Sequence, residues 1–128
     1  MEPFEIWLYK ADHDLLAAKK LFEEESVLFD IVVFHAQQCA EKSLKAFGAF
    51  KLQPVHKTHD LNVLVNECKE FDTDFEKIRA RALYLNSYDT QFRYPGDELN
   101  PIFEEAEQAI EYAVYIFQFV NDKIALHR

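Results

Sequence analysis

The chain has 128 residues, 49% of them hydrophobic and 15% aromatic, with 14 basic and 23 acidic side chains for a net charge of −9. That length fits one domain, residues 1–128, with a core that needs no disulfide or metal, and the composition excludes a disordered chain. The acidic balance excludes a passive polyanion binder, and two glycines and four prolines are too few for the tight turns of an all-β fold.

The opening stretch MEPFEIWLYKADHD has no basic leader and no long apolar core, so it does not read as a signal peptide. No apolar run reaches the length of a membrane span, and a cytoplasmic protein without membrane contact is expected. The first helix is predicted from about Pro3 to Glu24. Trp7, Ala11, Leu15, Ala18 and Phe22 recur every three to four residues, the seam of an amphipathic helix. Glu23-Glu24-Glu25 opposes the helix dipole, so packing must set this boundary.

A second helix is predicted from about Phe29 to Phe50. Its first half, FDIVVFHA, is apolar nearly all round, as in a central helix contacted on several sides. Its second half narrows to Ala36, Ala40, Leu44 and Phe47, and Gln53-Pro54 closes the segment. A short third helix spans about His59 to Phe71, with Leu61, Leu64 and Cys68 inward. Thr73-x-x-Glu76 reads as the capping box of a fourth helix seamed by Phe75, Ile78, Ala82 and Leu85. Periodicity lapses over NSYDTQFRYPGDELN, residues 86–100, a long loop of the kind that often carries function. Asn100-Pro101 is expected to open the last helix as cap and first-turn proline. Phe103, Ala106, Ile110, Ala113, Phe117 and Val120 carry its seam to about Lys123. The sum is an all-α, antiparallel up-and-down bundle of four to five helices. Cys39 and Cys68 fall in apolar seams and read as reduced, buried thiols.

Charge is uneven along the chain. From Lys42 to Arg93 there are nine Lys or Arg against seven Asp or Glu, a local +2, while the other residues carry five against sixteen, or −11. An anion site is therefore expected in the middle of the chain. Three stretches there hold functional groups. On the second helix, His35, Gln38, Lys42 and Lys45 fall along one line, with Gln37 and Glu41 beside it and Glu41 able to pair with Lys45. This line reads as a solvated or subunit-contacting face, or as an anion-facing stripe. In HKTHDL, residues 56–61, His56 and His59 neighbour Asp60. With no third histidine nearby this is a poor zinc set. It reads better as a helix cap, Thr58 or Asp60, beside a packed histidine, or as a phosphate contact. In FRYPGD, residues 92–97, Arg93 can hold a phosphate or carboxylate in a fork with Tyr94 for stacking, or tie the loop to the bundle. Glycine-rich phosphate loops, nucleophile elbows and Glu-x-x-His metal pairs are absent, and no cofactor or metal is expected.

Taken together, AQQCAEKSLKA at 36–46, THDL at 58–61 and RYP at 93–95, with Trp7, Ala11, Asp14-Leu15 and Ala18 before them, resemble the HEPN (higher eukaryotes and prokaryotes nucleotide-binding) domain family. The resemblance covers nearly the whole chain. It implies a helical bundle, commonly a homodimer, in a prokaryotic setting, often encoded beside a minimal nucleotidyltransferase that it helps to bind nucleotide or substrate. On that reading Lys42, Lys45, His56, His59, Arg93 and Tyr94 bind the nucleotide or substrate, and His35, Gln37, Gln38 and Glu41 form an interface. Many members are instead metal-independent ribonucleases and toxins that carry Arg, four to six residues, then His. Here the arginines are Arg79, Arg81, Arg93 and Arg128, and the only histidine beyond Arg79 is His127. That motif is absent, so a non-catalytic binding subunit is expected. The alternatives are a ribonuclease with a displaced site, which leaves nucleic acid binding open, and a purely structural dimerisation module.

Overall fold

A computed structural model describes residues 1–24, 27–88 and 100–128. The described residues form five α-helices: α1 (Pro3–Glu24), α2 (Phe29–Phe50), α3 (Leu61–Lys69), α4 (Arg79–Asn86) and α5 (Phe103–His127), with a 3₁₀ turn at Thr73–Ile78 before α4. The described residues contain no strand. The bundle is all-α and up-and-down, as the seams require. Among the described residues, no helix is long and apolar enough to cross a membrane.

α2 packs against α1, α3, α4 and α5, which explains its apolar first half. Alanines at the crossings, Ala11 and Ala18 on α1, Ala36 and Ala40 on α2, and Ala106, Ala109 and Ala113 on α5, are all fully buried. Small side chains there let helix axes approach closely. Larger groups fill the lower end, where Phe47 meets Phe75 at 4.6 Å between ring centroids and Phe75 meets Phe119 at 5.1 Å. Cys39 and Cys68 are free and buried in this core. Burial pushes the Cys39 thiol up to about 12 and raises that of Cys68 as well.

Helix ends differ from expectation where two cap signals compete. α3 starts at Leu61, because Asp60 is its N-cap and accepts the Asn62 amide at 2.9 Å. Thr73 is not the next cap. Asp72 is extended and accepts the Asp74 amide at 3.0 Å, so the turn starts one residue earlier in function and runs as 3₁₀. α5 opens at Phe103, two residues beyond Pro101. Ile102 is the extended residue, and the Glu105 carboxylate accepts its amide at 3.2 Å. α5 also runs past Lys123, because its last turn is anchored. Lys123 Nζ donates to Asp72 at 2.9 Å and to Asp74 at 2.7 Å, and His127 Nε2 donates to Asp72 at 2.9 Å. Lys51, the C-cap of α2, donates to His127 Nδ1 at 2.8 Å.

α2 ends in a Schellman turn. The Gln53 amide bonds to the Gly48 carbonyl at 3.0 Å and the Leu52 amide to Ala49 at 2.9 Å. Leu52 occupies the left-handed position, φ 60, that glycine usually takes. This turn folds residues 53–55 back beside α3 and opens a groove between them.

Candidate functional site

Two carboxylates sit inside the bundle, and the polar side chains of α2 are arranged around them. Asp14 of α1 is 8% exposed and Glu41 of α2 is 3% exposed. His35 Nδ1 donates to Asp14 Oδ1 at 2.8 Å, and Lys42 Nζ donates to Asp14 Oδ2 at 2.6 Å. Residues 35 and 42 are two helical turns apart, so both reach the same carboxylate across the α1–α2 crossing. Burial pushes the Asp14 carboxyl up, but the bonds from His35 and Lys42 and the Lys42 charge outweigh it and hold it below the usual range.

Glu41 has a parallel set of partners. Lys45 Nζ donates to Oε2 at 3.0 Å, the i,i+4 pair that the spacing indicates. His59 Nδ1 donates to Oε1 at 3.0 Å, and Gln37 and Gln38 donate to the same oxygen at 3.4 and 3.5 Å. Gln38 also donates to Gln37 Oε1 at 2.7 Å, and Gln37 to the His59 carbonyl at 3.4 Å. The Lys45 ammonium lies 5.6 Å from the Trp7 ring centroid, a cation–π contact.

Both imidazoles hold a carboxylate through Nδ1, so Nδ1 carries a proton in each. Nε2 of His35 and of His59 has no hydrogen-bond partner among the described residues. Their side chains are 28% and 35% exposed, so these nitrogens can meet a ligand at the surface.

The single line expected along α2 is bent by this packing. Gln37, Glu41 and Lys45 turn inward towards His59 and Trp7, and all three are buried within the chain. Of the four residues expected at an interface, His35 and Gln38 reach the surface, while Gln37 and Glu41 are used inside the chain. Lys42 stays at the edge, its side chain 23% exposed. His56 parts from His59. It donates to Glu67 of α3 at an exposed position instead. Arg93 and Tyr94 lie outside the described residues. The chain on the near side of them is fixed beside His59. Asn86 accepts the Leu61 amide at 2.9 Å and donates to Asp60 at 3.0 Å, and Tyr88 donates to Glu105 at 2.7 Å.

Asp14 has no role among the site residues expected from sequence, although it is the hub of one cluster. Its signal was there: an acid among Ala11, Leu15 and Ala18 interrupts an apolar seam. Among the described residues no three His, Cys, Asp or Glu side chains gather to hold a metal ion.

The model of the HEPN domain matches residues 4–123. The chain belongs to the HEPN domain family. Two solved structures share its fold. TT1696 from Thermus thermophilus is 29% identical, with a TM-score of 0.82, covering 96% of this chain and 99% of that one. ST0689, described as an archaeal HEPN homologue, is 24% identical with a TM-score of 0.76, covering 97% and 99%. No curated protein matches the chain. Within this HEPN domain, the paired clusters at Asp14 and Glu41 lie on the AQQCAEKSLKA and THDL stretches and on the Asp14-Leu15 step of α1.

Proposed function

We propose that the chain is a non-catalytic nucleotide- or substrate-binding subunit, a homodimer that works with a separately encoded minimal nucleotidyltransferase. The observation that carries this reading is the pair of buried carboxylates, each bonded to one lysine and one histidine. Buried ion pairs are poor stabilisers, and apolar residues of similar volume serve a fold as well or better. Their use here is better explained by the groups they present: the Lys42 ammonium and the two imidazole nitrogens of His35 and His59. The carboxylates fix these donors and acceptors in place and leave little net positive charge. Such a site suits a base, ribose or single phosphate better than an unshielded triphosphate. Arg93 would add the phosphate fork and Tyr94 the stacking face.

The test is a thermal-shift titration with ATP, ADP, AMP, GTP and cytidine nucleotides, on the native protein and on Lys42→Gln and Arg93→Ala. A nucleotide that binds only the folded state stabilises it by about 2.7 kcal/mol at a hundredfold excess over its Kd. A saturable rise, reduced in both variants, is expected. No rise with any nucleotide transfers the weight to a structural dimerisation module using His35 and Gln38, which light scattering on Gln38→Arg then checks.

One observation favours a second reading, a metal-independent ribonuclease with a displaced site. A histidine held through Nδ1 by a carboxylate, with Nε2 outward, has the orientation of a general base. Incubation with single-stranded RNA in the presence of chelator tests it. Cleavage that co-purifies with the protein and disappears in His59→Ala or His35→Ala, and in Arg93→Ala, supports it; intact RNA excludes it.

A further inference from the structure

The groove opened by the turn after α2 shares Lys45 with the Glu41 cluster but otherwise has its own lining and a different character. It encloses about 380 Å³, within the size range of small-molecule sites. Its walls are apolar: Leu44, Pro54, Val55, Leu64 and Cys68. Gly48 lies on the α2 side, and a Cβ there would meet nothing within 4 Å. Gly48 lies in the last turn of α2, and the missing side chain deepens the groove there.

The electrostatics of the groove point one way. Glu67 and Glu70 stand on its α3 side. The Glu70 carboxylate has no hydrogen bond or ion pair among the described residues. Lys45 reaches the opposite side, but its ammonium is already bonded to Glu41 at 3.0 Å. His56 covers one oxygen of Glu67. The last turns of both α2 and α3 line the groove, and helix C-termini carry partial negative charge. Phe71, 40% exposed, adds an aromatic ring at the edge. The two groups that could favour an anion, Lys45 and His56, are each already bonded to a carboxylate.

We propose that this groove binds a small organic cation with an apolar body, a primary amine or an amidine. The apolar portion lies against Leu44, Leu64 and Gly48, and the cation meets Glu70 and Glu67 with Phe71 beside it. The groove takes in Lys45 and His56 of the six residues that the resemblance assigns to nucleotide or substrate, but the proposal does not rest on that reading, and none of the variants that test it lines the groove.

The experiment is calorimetric titration and thermal shift with 2-phenylethylamine and benzamidine, both cations at neutral pH. The neutral analogues 2-phenylethanol and benzamide, the anion phenylacetate, and AMP serve as comparisons. Saturable binding of the cations is expected, with the neutral analogues roughly tenfold weaker, the size of one charged hydrogen bond. Gly48→Leu places a side chain in the groove and is expected to abolish binding while the helical circular dichroism is kept. Glu70→Gln, at an exposed position that does not endanger folding, is expected to weaken binding several-fold. The proposal is overturned if neither cation binds saturably, if phenylacetate binds as well as they do, or if Gly48→Leu binds them undiminished.

Discussion

The clusters around Asp14 and Glu41 and the cluster around Asp72 use the same side chains, carboxylate, lysine and histidine, yet they leave their histidines in different states. His127 is bonded at both ring nitrogens, to Asp72 through Nε2 and to Lys51 through Nδ1. It accepts from an ammonium and donates to a carboxylate, so neither nitrogen is left for anything else. Among the described residues, His35 and His59 are bonded through Nδ1 alone. One arrangement joins the ends of α2 and α5 to the loop before α4, and its work is finished inside the chain. The other holds two imidazoles at the surface of the middle of the bundle with one nitrogen each to spare. The lesson is that residue type does not tell the two kinds of cluster apart; bonding capacity left over among the described residues does.

Substitutions can break or sharpen this contrast. The largest effect is expected for Glu41→Ala, which leaves Lys45 buried without its counter-charge and removes the acceptor for His59, Gln37 and Gln38. A loss of about 3–5 kcal/mol should appear in urea denaturation, and a loss below about 1 kcal/mol would mean that Lys45 finds water easily. Next come Asp72→Asn and Asp14→Asn, each expected to cost about 1–3 kcal/mol through weakened charged hydrogen bonds. The two should separate in function: Asp14→Asn alters the response to nucleotide, and Asp72→Asn leaves it intact.

The acid limb distinguishes Asp72 further. Burial raises its carboxyl, but the bonds from His127, Lys123 and the Asp74 amide hold it at about 2, against an ordinary 3.8. A lowered folded-state value stabilises above the unfolded value and is lost as pH falls through the folded one. Stability at Asp72 is therefore complete above about pH 3.8 and lost towards about pH 2, and Asp72→Asn should flatten that part of the pH profile. The smallest effect is expected for Glu76→Gln. Its carboxyl is also held down to about 2, by bonds from Arg79 and Lys69, but its side chain is 50% exposed. Water and salt screen such a pair, and a midpoint change within the error of repeated melts is expected.

Much of the fold was legible because it is local. The seams of α1 and α2 run at helical spacing with few competing signals, and both helices span the residues that the seams indicate. The starts of the 3₁₀ turn before α4 and of α5 were harder. At the first, Asp72 and Thr73 could each cap; at the second, the chain passes over Asn100-Pro101 and opens after the extended Ile102. Both outcomes are tied to other side chains: Lys123 and His127 for Asp72, Glu105 for Ile102. The candidate site divides in the same way. Glu41 with Lys45 is an i,i+4 pair and could be read directly. The bonds of Asp14 to His35 and Lys42 span 21 and 28 residues, and that of Glu41 to His59 spans 18. Only the packing of α1 and of the α3 approach against α2 creates them. Nearness to a helix along the sequence says nothing of such partners, which is why His56 and His59 looked alike and are not.

The two buried thiols have a use as clocks. Alkylating reagents attack thiolate, and burial both raises the proton affinity of Cys39 and Cys68 and shields their sulfurs. Labelling at neutral pH therefore waits for the chain to open. Cys68 rides on α3, a helix of nine residues at the flank of the bundle, and Cys39 on the central α2. Labelling of Cys68 ahead of Cys39, followed by mass, would time the departure of α3 separately from the loss of the whole bundle. Equal rates would show that the flank and the centre come apart as one unit.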